Sequence, residues 1–559
     1  MWKRNLLFVV LALVALASLA SSLLPAKRID TPASFDAQRK TRTDFANTLA
    51  SLNGEFRQLW ADNQLEHAPR SDDLAIARRI SLALTGTIPS LEEIKAFEDQ
   101  KPEHRIEWWV SRLLEDQRYA DYVAERLART YVGVENGQFI VYRRRRFVHW
   151  LSDRLQENMP YDELIRRLLT DEGLWTDTPS VNFVTVTVDD NMNEKGQPDP
   201  ISLAGRTTRA FLGMRIDCVQ CHDDNLGNIN FGLPDDPADG MQEDFHQLAA
   251  FFAETRTAGG GVKDIGDKPY KYTYLDEEAE EIVAAKAPYS PQLLPKDGKP
   301  RQRLAAWVTH PENKPFARAM VNRVWALMFG RALNEPIDDI PLYAEFAKGG
   351  KYPAGLETLS DDFIKHGFDL QRLIRIIAAS DVFQRDSRAE FEVTEEHERH
   401  WAVFPLTRLR PEQVAGSLIQ STSLTTIDAN AHVVSQLVRY IQQNDFVQRY
   451  GDTGEDEFED RGGTIPQRLI MMNGNLQNER TNPGGLLLNA IAQIAVLAPS
   501  NEKAIETAYL SVYTRRPTDA EMKEMLKSLT ASGGGDERTQ EVKDIYWLMM
   551  NTTEFAWNH

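Results

Sequence analysis

At 559 residues the chain is too long for one ordinary hydrophobic core, and its length predicts about two to four domains. Its net charge of −19 and its sequence pI of about 5.2 argue against nucleic acid as a partner. Nucleic-acid binding takes most of its affinity from Lys and Arg on phosphates, and such a charge balance opposes it.

The N-terminal segment is an apolar run that follows two basic residues. Lys3 and Arg4 precede the uncharged residues 5–24, which are rich in Leu, Val and Ala. The apolar part of this run is at the lower edge of the length that spans a bilayer and is longer than most signal-peptide cores. Residues 1–28 are predicted to be a signal peptide or a membrane anchor, the anchor being favoured. The protein is therefore expected to be exported to the periplasm or cell envelope and tethered to the membrane.

Helix signals begin soon after this segment. Residues 29–69 are polar with scattered apolar positions, which predicts a stalk that ends in a helix. Residues 70–255 are predicted to form a helical domain. Its helix boundaries are marked by residue type. Ser71-Asp72-Asp73 begins one helix, Gly86 ends it, and Ser90 begins the next with a capping box.

Two segments carry strand signals. Val181–Val188 alternates and is β-branched, and Lys271–Leu275 is a weaker candidate. Residues 256–303 lack sustained apolar periodicity and are predicted to be a linker with minor β structure. Residues 304–559 are predicted to be a second helical domain, beginning with an amphipathic helix around Phe316–Met328. The predicted fold is mainly α: two helical domains with a minor β element between them, preceded by an N-terminal hydrophobic helix.

The two cysteines lie together in Cys218-Val219-Gln220-Cys221-His222 and are the only cysteines of the chain. Thiols three residues apart fall on one face of a helical turn, where they can form thioethers with haem vinyl groups while the imidazole ligates iron. This is the spacing of c-type haem attachment. It predicts haem c bound covalently through Cys218 and Cys221, with His222 as the proximal iron ligand. A predicted helix over Ser202–Arg215 places the motif at a helix C-terminus.

Two other interpretations of the cysteine pair stay open. A structural zinc site needs a fourth ligand beside Cys218, Cys221 and His222, which His246, Asp223 or Asp224 can supply. The third interpretation is a disulfide or a thiol redox pair in which the neighbouring imidazole lowers a thiol pKa. Outside the cytosol two close cysteines tend to oxidise unless a metal or covalent chemistry occupies them.

The second axial position of the iron decides what a bound haem does. An open position permits chemistry on a small molecule, whereas Met or His ligation favours electron transfer. Met241 and His246 are the nearest downstream candidates for this ligand. Asp217, Asp223 and Asp224 surround the motif with negative charge. This charge either lowers the iron potential and attracts a basic redox partner, or is solvated with little effect.

Two further polar clusters are present. Arg143–Arg146 covers every side of a helix, so several of its side chains are predicted to meet intramolecular carboxylates rather than an anionic polymer. The second cluster is predicted to be a buried ion-pair network between helices rather than a cleft. Its members are Asn322, Arg323, Arg331, Asp338 and Asp339.

The chain resembles the planctomycete cytochrome-type two-domain proteins, in which a domain carrying C-x-x-C-H precedes a companion domain, both of unknown function. The matching stretches are Arg78–Gly86, Phe211–Gly213, Leu248–Phe252, Phe316–Trp325, Phe329–Asp339, Arg515–Thr518 and Thr553–Phe555. The resemblance implies export, a haem-type motif and a mostly helical fold, with at most one haem. The sequence departs from the family pattern after His222, where Asp223-Asp224-Asn225 replaces a second His followed by Pro-Phe.

The function predicted from these features is electron transfer or a redox step at the cell envelope by an exported c-type haem protein. Its expected partners are the membrane, through the N-terminal segment, and a redox protein. The alternative is a non-redox envelope scaffold, or an accessory to polymer breakdown, whose cysteine and histidine cluster holds zinc or a disulfide. Any enzymatic activity is left open.

Overall fold

The computed structural model describes residues 31–134, 142–188, 196–224, 227–266, 268–275, 277–428, 433–451, 458, 463–481 and 489–559. The predicted signal peptide or anchor at residues 1–28 lies outside them. Within these ranges no helix combines the length and the apolar character needed to cross a bilayer. The fold is mainly α-helical, as the sequence predicts.

The first half contains ten helices in the residues that the structure describes. They are α1 (Thr43–Asp62), α2 (Asp73–Thr85), α3 (Leu91–Glu98), α4 (Arg105–Leu114), α5 (Gln117–Val132), α6 (Arg144–Gln156), α7 (Tyr161–Thr170), α8 (Asn182–Thr185), α9 (Pro200–Thr207) and α10 (Gln242–Ala249).

The predicted helix boundaries near residue 80 are confirmed. The Asp72 side chain accepts a hydrogen bond from the Leu74 amide at the start of α2, and Gly86 ends this helix in the left-handed region with φ 66°. Ser90 and Glu93 form a capping box that starts α3. Each cap satisfies backbone groups that a helix end leaves without partners, which is why these residue types mark the boundaries.

Helix α1 is an integral part of the core. Its side chains Phe45, Leu52, Phe56 and Trp60 are buried along one face. The Phe56 ring stacks on Trp325 at 5.7 Å between centroids. The predicted stalk at residues 29–69 therefore ends in a helix that packs within the protein, because this apolar face needs a surface to cover it.

The strand predicted at Val181–Val188 is wrong. This segment forms a 3₁₀ turn, Pro179–Val181, followed by the short helix α8. Its backbone bonds locally, with the Val186 amide donating to the Asn182 carbonyl at 3.1 Å. Consecutive side chains are buried on all sides, so the alternation of residue types does not correspond to one buried and one exposed strand face.

The strands are short and antiparallel. β1 (Gly173–Leu174), β2 (Thr255–Ala258) and β3 (Gly261–Asp264) form a three-stranded sheet in the order β1-β3-β2, and β4 (Tyr270–Tyr272) pairs with β5 (Glu281–Val283). β4 overlaps the weak strand predicted at Lys271–Leu275. A further pair joins β6 (Thr407–Arg408) to β7 (Trp557–Asn558). β2 to β5 form the minor β structure in the middle of the chain.

The described part of the second half contains fourteen helices. They are α11 (Pro300–Val308), α12 (Lys314–Phe329), α13 (Leu356–Lys365), α14 (Leu370–Ala379), α15 (Glu395–Arg399), α16 (Pro411–Ser421), α17 (Val433–Tyr450), α18 (Ile465–Asn473), α19 (Asn475–Thr481), α20 (Ala490–Leu497), α21 (Asn501–Tyr513), α22 (Asp519–Ala531), α23 (Asp536–Met550) and α24 (Thr553–Ala556).

Helix α12 lies at the centre of the larger hydrophobic core. Every residue from Pro315 to Phe329 is buried, and Gly330 ends the helix in the left-handed region with φ 81°. Phe316 stacks on Tyr161 of α7, at 5.1 Å between ring centroids. This core draws residues from both sides of the predicted linker, from Phe45 to Phe404 together with Leu510. The two halves of the chain are therefore packed into one core.

A second, smaller core occupies the C-terminal part. It is built from residues between Leu409 and Phe555, and Leu82 of α2 and Ile88 of the first half pack into it. The connection between the two cores includes buried charge. The Glu412 carboxylate of α16 accepts from Arg126 of α5 at 2.8 Å and from Arg410 at 3.0 Å.

These guanidinium groups control the ionisation of Glu412. Burial acts to raise the pKa of its carboxyl, but the charges of Arg126 and Arg410 outweigh burial and hold the pKa below its usual range. Glu412 therefore stays ionised at neutral pH and acts as a charged link between helices of the two halves.

Replacing Glu412 by Gln is expected to lower the free energy of unfolding by about 3–5 kcal/mol, because it leaves two buried guanidinium groups without their shared carboxylate. Urea denaturation of the two proteins measures the difference. Glu524→Gln is the control, since its carboxylate is 70% exposed and pairs with Lys527; a change of at most about 0.5 kcal/mol is expected there. Equal effects of the two substitutions would contradict the link.

Candidate functional site

The Cys-x-x-Cys-His motif lies in a 3₁₀ turn, Asp217–Gln220, that follows α9 and a π turn, Thr208–Leu212. The predicted helix over Ser202–Arg215 is thus shorter than expected, because Gly213 ends the π turn with φ 62°. The motif begins its own turn after this break.

Both thiols of the motif are free and exposed. In a 3₁₀ helix the side chains at positions i and i+3 are eclipsed, so Cys218 and Cys221 project on the same side of the turn. Val219 between them is fully buried. The buried valine holds the turn to the core and leaves both sulfur atoms accessible from solvent.

His222 follows the turn with an exposed ring. Its Nδ1–H donates to the Asp223 carbonyl at 2.7 Å. Because a carbonyl oxygen can only accept, this bond places the proton on Nδ1 and leaves a lone pair on Nε2. Nε2 has no hydrogen-bond partner within the described residues. A ring nitrogen held by a carbonyl while the other stays available is the usual arrangement of a metal-ligating histidine.

The centre of the turn is fixed through the Gln220 carbonyl oxygen. It accepts from His246 Nε2–H at 3.0 Å and from Gln242 Nε2–H at 3.1 Å, and the Tyr272 hydroxyl lies 3.5 Å away. His246 is completely buried and stacks on Tyr272 at 3.4 Å between ring centroids. Helix α10 and strand β4 therefore hold the turn from beneath.

Burial also sets the protonation of His246. It lowers the pKa of the imidazole, so the ring is neutral at pH 7. The Tyr270 hydroxyl donates to Nδ1 at 2.9 Å while Nε2–H donates to Gln220. Both ring nitrogens are thus engaged within the protein, and in this arrangement neither presents a lone pair to a metal.

Met241, the other candidate for the second axial ligand, lies directly before α10 with 46% of its surface exposed. Its side chain is accessible to solvent, as the thiols of the motif are. Its ligation of iron stays a prediction.

The three carboxylates around the motif have structural partners. Asp223 Oδ1 accepts from the Gln242 amide at 2.7 Å and so caps α10. Asp224 is buried and its Oδ2 accepts from the Ile229 amide at 2.6 Å. Asp217 pairs with Arg209 at 3.0 Å. These aspartates shape the loops on either side of the turn.

The motif offers two thiols and one imidazole nitrogen as donors. The described residues contain no cluster of three or more His, Cys, Asp or Glu arranged to hold a metal ion. His246, Asp223 and Asp224, the candidates for the fourth zinc ligand, are bonded to other protein groups. Two accessible thiols followed by an imidazole with a free Nε2 fit the covalent attachment of haem.

Three residues of the site carry no recognised motif: Gln242, Tyr270 and Tyr272. The Tyr272 hydroxyl lies 3.5 Å from the Gln220 carbonyl oxygen, which places its phenol beside the motif, and burial raises the pKa of this phenol. The only sequence signal for the tyrosines is their alternation with Tyr274, since residues two apart share one face of a strand.

The remaining predicted clusters are structural. Arg144 of the Arg143–Arg146 run forms a bidentate pair with Glu125 at 2.8 and 2.9 Å, which agrees with the predicted intramolecular role. In the second cluster, Arg323 donates to Thr130 at 2.8 Å and Arg331 pairs with Glu335.

The outcome for the rest of that second cluster is mixed. Asn322 is completely buried and bonds to the backbone of Asn334 and Ile337. Asp338 is buried beside Arg215 of the first half. Burial raises the pKa of Asp339, against the influence of Arg215. The buried carboxylate of the cluster, Asp338, pairs with Arg215 and Arg209, which precede the motif and are not members of the predicted cluster.

Comparison with known families divides the chain into two regions. Residues 55–257 match PSCyt2, a protein of unknown function (DUF1549), and residues 300–529 match PSD1, a protein of unknown function (DUF1553). The chain carries a PSCyt2 domain followed by a PSD1 domain. No curated protein and no solved structure matches it.

The site extends beyond one region. The turn, His246 and Gln242 lie in the PSCyt2 domain, and Tyr270 and Tyr272 lie in the segment between the domains. Asp338 lies in the PSD1 domain. Residues of the PSCyt2 domain and of the segment after it therefore hold the turn, and Asp338 contacts Arg215 shortly before the turn.

Replacing His246 by Leu is expected to lower the free energy of unfolding by about 1–3 kcal/mol, because the Gln220 carbonyl and the Tyr270 hydroxyl each lose a buried partner. Hydrogen–deuterium exchange is expected to be faster at the amides of Val219 and Cys221. His400→Leu is the control, since His400 directly follows α15 and its ring bonds to the Glu396 carbonyl of that helix. Unchanged exchange in the turn of the His246 variant would show that His246 does not hold it.

Proposed function

We propose that the protein is an exported c-type haem protein that acts in electron transfer or a redox step at the cell envelope. The observation that carries this proposal is the geometry of the turn. Cys218 and Cys221 present free thiols on one side, and His222 follows them with Nε2 available and Nδ1 fixed. These are the groups that thioether attachment and axial ligation require.

Each residue of the site has a distinct task in this proposal. Cys218 and Cys221 hold the porphyrin covalently, and His222 supplies the proximal imidazole. A bound haem supplies one-electron chemistry at its iron. The Asp223 carbonyl fixes the His222 tautomer and the orientation of its ring. His246 and Gln242 keep the turn in place through the Gln220 carbonyl.

The surroundings of the motif support electron exchange with another protein. The motif lies at the surface, so a haem held there is within reach of a partner. Exposed glutamates lie between strand β4 and the start of β5, and Glu280 among them pairs with Lys271; they are Glu277, Glu278, Glu280 and Glu281. Burial and, to a smaller extent, the charges of Glu243 and Glu281 raise the pKa of Tyr274. An acidic rim of this kind favours a redox partner with a basic docking face.

The decisive test is maturation in a host that carries the c-type assembly apparatus. The exported chain is expected to show a Soret band and to retain haem stain after denaturation, with one haem per chain. Cys218→Ser with Cys221→Ser is expected to abolish covalent attachment, because no thioether can form. Gln220→Ala is the matched control inside the same turn. It keeps the backbone carbonyl and is expected to keep the haem.

Three outcomes would count against the proposal. Protein without added cofactor mass after maturation would exclude covalent haem. Colourless protein with one zinc per chain would favour the structural-metal interpretation. A disulfide between the two cysteines without any metal would favour the third interpretation, and the protein would then be a scaffold or an accessory at the envelope.

Export is the second part of the proposal, and cell fractionation tests it. The full chain is expected in the membrane fraction with residues 1–28 retained, because the apolar run is long enough to anchor it. A variant lacking residues 1–28 is the control and is expected in the cytosol. A soluble exported product that begins after Ala17 or Ala20 would show a cleaved signal peptide, and a cytosolic full-length chain would contradict export.

A further inference from the structure

The backbone just before the motif is in close contact with the PSD1 domain. The Gly213 carbonyl accepts from the Ile340 amide at 2.8 Å. A Cβ atom on Gly213 would lie 3.1 Å from the Ala319 Cβ of α12 and 3.3 Å from the Ile340 side chain. Together with the left-handed φ of 62°, this close approach explains why a glycine occupies the position. The PSD1 domain thus contacts the chain shortly before Cys218.

The loop that makes this contact is tied to α12. Asn322 is completely buried, and its amide group donates to the carbonyls of Asn334 at 2.9 Å and Ile337 at 3.0 Å. Its oxygen accepts from the Asn334 amide at 2.9 Å. One side chain therefore fixes the loop at both ends of residues 334–337. The loop, residues 331–340, is attached to the central helix through these hydrogen bonds.

Asp338 of this loop is a buried carboxylate between two arginines of the PSCyt2 domain. Its Oδ1 accepts from Arg215 Nε at 2.6 Å, and its Oδ2 lies 3.5 Å from Arg209 Nε. Arg209 also pairs with Asp217 at 3.0 Å, and Asp217 directly precedes Cys218. Gly205 leaves room for the Asp217 carboxylate, since a Cβ there would lie 2.8 Å from its Oδ1. A continuous series of charges thus runs from the PSD1 loop to the motif.

The arrangement is stronger than an ordinary surface pair. An exposed ion pair contributes little, because both ions are well solvated. Here the Asp338 side chain is only 10% exposed and contacts both guanidinium groups, although the Arg209 and Arg215 side chains are themselves 41% and 38% exposed. Removing the charge of Asp338 breaks the contact between the PSD1 loop and both guanidinium groups and so weakens the hold of the loop on the segment before the turn.

We propose that Asp338 of the PSD1 domain is a positioning residue for the Cys218–His222 turn, acting through Arg209 and Arg215, and that holding this turn is a task of the PSD1 domain. Asp338 is not expected to touch the bound group. The positioning applies to the protein chain alone, and only its effect on haem rests on the proposed function.

The test compares Asp338→Asn with the full-length parent before haem loading. The exchange of the Val219 and Cys221 amides reports on the turn directly, since both bond within it, to Ile216 and Cys218. Asp338→Asn is expected to speed their exchange about tenfold. Asp338→Glu keeps the charge and is expected to stay within about threefold of the parent. Arg215→Gln, a substitution at a half-exposed side chain, is expected to act like Asp338→Asn and serves if that variant does not fold.

Asp362→Asn is the matched control. Asp362 lies in the same domain, is 6% exposed and pairs with Arg372, an arginine of its own domain rather than of the segment before the motif. It is expected to leave exchange in the turn unchanged. Equal acceleration of amide exchange in the Asp362 and Asp338 variants would overturn the proposal. Unchanged exchange in both the Asp338→Asn and the Arg215→Gln variants would also overturn it.

Haem-loaded protein provides a second readout that separates the two proposals. Asp338→Asn is expected to shift the reduction potential of the bound haem, and Asp338→Glu to restore it. If no variant takes up haem while the exchange results hold, the proposed function is wrong and the positioning role stands. If the haem of Asp338→Asn and its amide exchange both match the parent, the positioning role is wrong and the proposed function stands.

Discussion

The burial of α12 on all sides is the constraint on which the rest of the structure depends. A helix that is buried around its whole circumference must be covered by other elements, and its polar side chains Arg318, Asn322 and Arg323 must find partners within the protein. Here α1, α2 and α7 of the first half cover it together with α13 and α14 of the second half. The PSD1 domain contributes the helix, and the PSCyt2 domain contributes much of the surface that buries it. The two sequence domains therefore form one packing unit.

This packing explains how an exposed motif can have a fixed geometry. A reactive group at the surface keeps its position only if the groups behind it are locked by packing and hydrogen bonds. Val219 is buried beneath the turn, His246 and Gln242 hold the Gln220 carbonyl, and Asp338 approaches from the loop that follows α12. The thiols are accessible while their backbone is constrained from two sides.

The local features of the fold were predictable from sequence because their causes are local. Caps at Asp72 and Ser90 and the left-handed glycine Gly86 act within a few residues, and the structure confirms all three. The eclipsed positions of Cys218 and Cys221 follow from their spacing in a tight helical turn. By contrast, Val181–Val188 has the alternation of a strand but lies in helical turns, because burial on every side replaced the two-sided environment that the pattern implies.

The sequence by itself determined the mainly helical fold, the helix ends near residue 80 and the placement of two thiols and an imidazole within one short motif. Only the tertiary structure decided what supports that motif. Tyr272 lies 52 residues beyond Gln220, and Asp338 lies 123 residues beyond Arg215. No local periodicity encodes contacts at such separations. They arise because the apolar surface of α12 draws both halves of the chain into one core, which brings distant polar side chains to the same turn.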